Sequence, residues 1–279
     1  MFIAGQRELL KNIDYLIEND RFPRFSIIVG RSGSGKKLIC DYISNKLGCL
    51  FVPCGVKADE VREIVDMSYT LPERTLYMFA DSENMSVISK NIMLKVTEEP
   101  PQKAYFIMTV EDLSGTLSTL TSRGSVFRMN PYNQTDLVDF IKYKKYDIDD
   151  RTMSVMLSVC TTPNEIMLAV NSDFTSMYSL VEKFAKLIGT ANLANELKVG
   201  TQLSVKSDDG KYDTVSFLRL FMVACYEFSK DGDVLVYNRL ISITSRYLNE
   251  LSRKGANKQS IIDCWIIDCH IAVSGGELC

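Results

Sequence analysis

Histidine is nearly absent: in 279 residues it occurs once, as His270. That scarcity excludes nearly every mechanism built on an imidazole base, hydrolytic triads included. No uninterrupted apolar run reaches membrane-spanning length, and Met1-Phe2-Ile3 leads straight into Arg7 and Glu8. Neither a usual secretion signal nor a membrane-embedded segment is expected. An excess of positive charge is missing too, since 32 Lys and Arg against 35 Asp and Glu leave −3. A globally basic nucleic-acid binder is thereby excluded, and any contact with DNA must come from a local patch or from partner chains. Cysteine is not scarce, but its eight residues are scattered through a chain too long to need a disulfide scaffold. Reduced thiols in a cytoplasmic protein are the expectation. Cys49 and Cys54 fall on opposite faces of an expected strand, and Cys264 and Cys269 do not share a helix face with each other. No zinc site is expected.

What the chain does have is an ordinary soluble balance, 46% hydrophobic and 24% charged, enough for one large domain or two to three modest ones. Residues 1–133 alternate between two kinds of pattern. Short apolar runs at Phe25–Val29, Leu50–Val52, Thr75–Ala80, Tyr105–Val110 and Ser125–Met129 predict strands. Between them, spacings such as Leu38-Ile39-Tyr42-Ile43 and Val61-Ile64-Val65 predict helices. Five strands with helical crossovers imply a parallel sheet covered on both faces. After Asn130-Pro131-Tyr132-Asn133 the strand signals stop. Thr135 is the expected cap of a helix with Leu137, Phe140 and Ile141 on its apolar face. A second helix is expected from about Met153, and Thr161-Thr162-Pro163 interrupts before a third. From about 190 the chain reads as helical to Val273, broken near Ser207–Gly210, Asp231–Asp233 and Gly255–Asn257, and Ser274-Gly275-Gly276 reads as a frayed tail. The expected class is α/β plus all-α, with boundaries at 1–133, 134–190 and 191–279.

The segment Gly30-Arg31-Ser32-Gly33-Ser34-Gly35-Lys36-Lys37 follows the first strand and opens a helix. Glycines there let the backbone turn its N–H groups inward, the helix N-terminus adds positive potential, and Lys36 reaches outer phosphates. The alternative is a glycine-rich turn that binds nothing. Lys37 stands where an active loop carries Ser or Thr for Mg²⁺; lysine cannot ligate the ion, and its charge opposes it. The expected strand Thr75–Ala80 ends at Asp81, followed by Ser82 and Glu83, where an ATPase usually places Asp then Glu. Metal-assisted hydrolysis is compromised on both counts.

Further stretches carry a family resemblance. Asn91-Ile92-Met93-Leu94-Lys95-Val96-Thr97-Glu98-Glu99-Pro100-Pro101 resembles the N-A-L-L-K-x-L-E-E-P-P of AAA+ clamp-loader subunits. Leu117–Gly124 is similar to their L-L-x-T-I-x-S-R-C, and Gly5-Gln6 and Arg21-Phe22-Pro23-Arg24-Phe25 to their G-Q and R-L-P-H-A segments. The last helices resemble the collar of the same family. Among its members the likeness is to the bacterial delta-prime type. The resemblance implies a P-loop α/β domain with a five-stranded parallel sheet, a small helical lid and a C-terminal helical collar. It implies that Thr109 is a sensor at the strand end, and that Arg123 is a finger acting in trans on ATP held by a neighbouring subunit. Local pairing of Arg123 with a carboxylate is the other reading of that residue. Implied partners are the motor and delta-like subunits, primer–template DNA and, through the complex, a sliding clamp. The helix of Lys90 and Lys95 would face the DNA, although such lysines are more often a solvated face.

Departures from the family pattern cluster at the nucleotide pocket. Lys37 replaces the Mg²⁺ ligand, Ala80 replaces the first acid with Asp81 in second place, Gly124 replaces cysteine after Ser-Arg, and Glu165 stands where active members place arginine. The zinc module of many bacterial members is missing. The expectation is ATP or ADP held weakly at a Mg-poor loop (Gly30, Ser32 to Lys37, Asp81, Thr109), with the chain's own ATPase weak or absent. Two rivals remain at this level: an active P-loop ATPase such as a motor subunit or helicase loader, and a purely structural interaction module.

Overall fold

The Phe25–Val29 run forms strand β1, and the strands after it are β2 (Leu50–Cys54), β3 (Thr75–Phe79), β4 (Ala104–Val110) and β5 (Ser125–Arg128). All pairings are parallel, in the order β2-β3-β4-β1-β5, with Phe25 opposite Phe106 and Ser26 opposite Ser125. This computed structural model describes residues 2–114, 116–171, 174–190, 192–204, 214–251 and 257–275. The chain divides into two units, Met1–Lys145 with Thr161–Glu165, and Tyr146–Cys160 with Ile166–Cys279. The expected breaks near Ser207–Gly210 and at Gly255-Ala256 lie outside the described residues, as does Gly276.

In the first unit, alternation along the strands separates two cores. Ile27, Tyr77, Phe79, Phe106 and Met108 face Val61 of α3 (Ala58–Thr70) and Met93 and Val96 of α4 (Val87–Glu98). Ile28, Leu76, Met78 and Ile107 face Ile13 of α1 (Arg7–Glu18) and Ile39 and Ile43 of α2 (Lys36–Leu47). All seven residues of β4 are buried, as a strand covered on both sides requires. Each fully buried large apolar side chain contributes about 1.5–3 kcal/mol, so these two layers supply most of the drive to fold. Pro53, which has no N–H to give, sits in β2 at the sheet's edge.

Thr135 does not cap its helix. Asn133 does: its side chain accepts the N–H of Asp136, and Asp136 accepts the N–H of Asn133 at 3.0 Å, so α6 runs Gln134–Lys144. Asparagine outranks threonine at this position, and Thr135 gives its hydroxyl hydrogen to the same Asn133 oxygen.

The second unit is helical. Its described helices include α7 (Asp150–Val159), α9 (Phe174–Leu187), α10 (Leu193–Ser204), α11 (Thr214–Phe228), α12 (Val234–Leu251) and α13 (Lys258–Ser274). Trp265 is fully buried among Phe184, Phe217 and Phe221, and its indole N–H donates to Thr244 Oγ1 at 3.0 Å. That bond meets the one polar demand the ring makes on its core. His270 is held by the buried carboxylate of Glu196 at 2.9 Å, and Glu196 also accepts the N–H of Gly189. The lone histidine thus ties α13 to the start of α10. On α13, Cys264 is exposed while Cys269 is buried, as a spacing of five on a helix demands. Among the described residues no helix is long and apolar enough to cross a membrane.

Candidate functional site

The glycine loop leaves the sheet at the C-terminal end of β1, between β4 and β5. Gly33 and Gly35 have φ of +73° and +88°, which only glycine adopts without strain, and α2 starts at once at Lys36. No side chain caps this helix, and its first turn carries Lys36 and Lys37 with no acid. The dipole favours the opposite, so a local rule is broken here. Among the described residues nothing accepts from the N–H groups of Gly33, Gly35, Lys36 or Lys37. Nor does any carboxylate pair with Arg31, Lys36 or Lys37. N–H groups without an acceptor and three cations that no carboxylate neutralises make a donor set that fits a polyphosphate.

The same loop does not fit a divalent metal at position 37, where an exposed lysine offers no oxygen. Lys36 itself is buried and folds back, donating to the carbonyls of Gly30 at 2.7 Å and Arg31 at 3.3 Å. Ser32 is exposed; Ser34 is buried, with its hydroxyl against Met129 Sδ at 3.3 Å. Asp81 is exposed in the left-handed region (φ +48°), and its N–H donates to the buried Thr109 hydroxyl at 3.3 Å. Thr109 thereby joins the ends of β3 and β4.

Beside the loop, a cavity of about 190 Å³ is lined by Arg31, Ser34, Met129, Pro131, Tyr132 and Thr162. Its walls are placed by long-range bonds. The fully buried Gln6 amide both donates to Asn130 O and accepts from Asn130 N–H at 2.9 Å, which anchors the Gly5-Gln6 segment. The Tyr132 hydroxyl donates to Ser34 O at 2.5 Å, and burial pushes this phenol up, so it stays a donor at neutral pH. Arg31 donates to Thr161 Oγ1 at 3.2 Å.

Two of the family departures have local explanations. Glu165 accepts the N–H groups of Thr161 and Thr162 at 2.6 and 3.2 Å, while Thr162 Oγ1 accepts the N–H of Glu165 at 3.3 Å. With Pro163 at the first helical position of α8 (Pro163–Asn171), this is a capping box. The acid is spent on its own helix start. The Thr162–Asn164 segment also lies against the loop, where a Cβ on Gly33 would come within 2.7 Å of Asn164 Cβ.

Gly124 leaves room for the Phe25 ring. A Cβ there would come within 2.7 Å of the Phe25 ring, and Phe25 stands where the family pattern has alanine. A large residue at 25 and a small one at 124 exchange volume. Gly124→Cys alone is expected to destabilise by about 1–3 kcal/mol, and Phe25→Ala alone by about 3–5 kcal/mol. In denaturant melts, the double variant should fall short of their sum by at least about 1 kcal/mol. Strict additivity would sink the exchange.

Arg123 follows α5 (Ser118–Thr121) and lies on the connection to β5. Its Nη2 pairs with Glu98 Oε1 at 2.9 Å and its Nη1 donates to Thr119 O at 3.1 Å, with 39% of the side chain exposed. Both readings of this residue meet here, since it has a local carboxylate and still reaches solvent. Lys90 is not on a solvated face: it is 8% exposed and its ammonium points at Glu83 O, 3.4 Å away. It shares the inward stripe of α4 with Met93, three residues on, whereas Lys95 is exposed. The sequence reading gave no site role to Glu98, Gln6, Asn164 or Tyr132. Two signals were available: acids at a helix C-terminus, which oppose the dipole, and the T-x-x-E pattern of Thr162 and Glu165.

Comparison with known proteins places these features among relatives. A family model described as DNA polymerase III, delta subunit, matches residues 55–133. A DNA polymerase III subunit gamma of Buchnera aphidicola subsp. Schizaphis graminum is 27% identical over 172 residues, covering 50% of this chain and 47% of that protein. The chain thus spans about half the length of that relative. The subunit of the same name from subsp. Acyrthosiphon pisum is 22% identical, covering 92% of this chain and 84% of that one. Among solved structures, the Thermotoga maritima RuvB Holliday junction branch migration motor superposes with a TM-score of 0.54 at 14% identity, over 81% of this chain and 78% of that one. A DNA polymerase III gamma subunit-related protein from Thermotoga maritima superposes with 0.53 at 15% identity, over 95% and 99%. At such identities the structural likeness establishes the fold: a P-loop α/β unit followed by helices.

Proposed function

We propose that this chain, which belongs to the AAA+ clamp-loader family, is a non-motor subunit of the delta-prime type. It lends Arg123 to a neighbouring subunit's triphosphate and gives structural support to ATP-driven loading of a sliding clamp onto primed DNA. The observation that carries this reading is Arg123 itself. Its guanidinium is partly exposed and held at two nitrogens, and three of its five N–H donors are left over. A fixed fork of that kind suits charge spread over a transferring phosphoryl group. Support for the non-motor half comes from position 37, where a lysine cannot take a metal, and from Glu165, an acid committed to capping.

In this proposal the loop of Gly30 to Lys37 holds ATP or ADP as a structural ligand. Lys36, Lys37 and the free N–H groups would take the phosphates, and the apolar wall of Met129, Pro131 and Tyr132 the base. A bound nucleotide would supply a fixed polyanion that pins α2 and Thr161–Glu165 to the loop. In the same proposal the modules are 1–133, 134–190 and 191–279, with the last as the collar that joins the ring. A second reading, an interaction module with no nucleotide role, is favoured by one observation: Lys36 is already satisfied by carbonyls while Asn164 crowds Gly33.

Purification from the native source should bring down motor and delta-like subunits, identified by mass. The isolated chain should release phosphate from ATP no faster than background while the assembly hydrolyses it. Robust turnover by the chain alone, lost in Lys36→Ala, would end the non-motor reading.

A further inference from the structure

Helix α4 ends in a way that local physical chemistry disfavours. Glu98 is its last residue and Glu99 follows, so two acids stand where the helix dipole already concentrates negative charge; Lys95 is the only cation of the last turn. The compensating charge arrives from elsewhere in the fold. Arg123, reaching back from the connection between α5 and β5, meets Glu98 Oε1 at 2.9 Å, and the Thr119 carbonyl holds the other terminal nitrogen at 3.1 Å. Two separate elements, α4 and the α5 turn, thus bracket one guanidinium. Glu99 is not part of the bracket: its carbonyl accepts the Tyr69 hydroxyl at 3.3 Å.

We infer that Glu98 is a positioning residue for the group Arg123 presents to a neighbouring subunit, an inference that rests on the trans-acting reading of Arg123. An arginine free on a surface samples many rotamers, and that freedom must be lost each time it engages a phosphate. Held at both terminal nitrogens, the side chain has already lost it. The carboxylate also fixes the plane of the fork, which decides where the unused N–H groups point. A single carboxylate is a weaker attractor than a triphosphate, and both partners reach solvent, so Glu98 steadies the guanidinium without withholding it.

The test uses the loader reassembled from its native subunits, with ATP turnover followed by phosphate release. Glu98→Ala should lower kcat about tenfold and leave KM for ATP within about twofold, because the neighbour's binding loop is untouched. Glu98→Gln, which keeps an acceptor oxygen, should restore most of the loss, and Glu99→Gln should match the parent. Arg123→Ala with Glu98→Ala should be no slower than Arg123→Ala alone, since the carboxylate acts only through the guanidinium. Unchanged turnover in Glu98→Ala, faster turnover, or losses that multiply in the double variant would each overturn the inference. A failure of the underlying reading is seen in a different variant: Arg123→Ala alone would then leave turnover intact.

Discussion

Replacing Arg123 by alanine should slow ATP hydrolysis at the adjoining site of the reassembled loader by about a hundredfold or more, the range in which fingers act in trans. The fold should not suffer. The Arg123–Glu98 pair is 39% and 57% exposed on its two sides, and pairs of that kind contribute about 0–1 kcal/mol. Thermal melting of the isolated variant within a few degrees of the parent would confirm that the loss is chemical. Arg123→Lys is expected to recover little, because a point charge on a flexible stem does not reproduce a two-pronged donor. An alanine variant with parental turnover in the assembly would refute the trans role and leave Arg123 as a surface ion pair.

The second large effect concerns the glycine loop. Titrated with fluorescent ADP, the isolated chain should bind with nearly the same affinity in excess EDTA as in Mg²⁺. The charge that a metal normally brings is already present as Lys37, and no hydroxyl stands there to ligate the ion. Lys36→Ala should weaken binding about a hundredfold, equivalent to about 2.7 kcal/mol. Lys37→Thr should make the affinity depend on Mg²⁺, since it returns a ligand and removes a repelling charge. Binding abolished by EDTA in the parent would show that a metal is held by other groups, Asp81 and Glu83 among the candidates. No binding under any condition would identify the loop as a turn closed by Lys36 and Asn164, and the structural-module reading would then prevail.

How much of this was legible beforehand differs from element to element. The runs Phe25–Val29, Thr75–Phe79 and Ala104–Val110 announce themselves because a strand buried on both faces must be apolar throughout. The loop was legible because glycine at positive φ followed by lysine is a local requirement. What the sequence left open at Glu165 was its partner: as a hydrogen-bond acceptor it satisfies two N–H groups at its own helix start. Thr135 does not cap its helix because Asn133, two positions earlier, stands in line with Asp136. Lys90 was legible in retrospect, lying three residues before Met93 on the buried stripe of its helix.

Taken alone, the order of residues determined the class of fold, the five strands, the place of the glycine loop and the lysine at position 37 where a metal ligand is usual. These depend on neighbours close along the chain: periodicity, turn chemistry and the identity of one side chain. Only the tertiary structure decided that Phe25 fills the space Gly124 leaves open, that Gln6 grips Asn130 from 124 residues away, and that Glu98 takes hold of Arg123 across 25. Packing and charge pairing act through space, where separation along the chain no longer counts, so a pattern read in one dimension does not contain them.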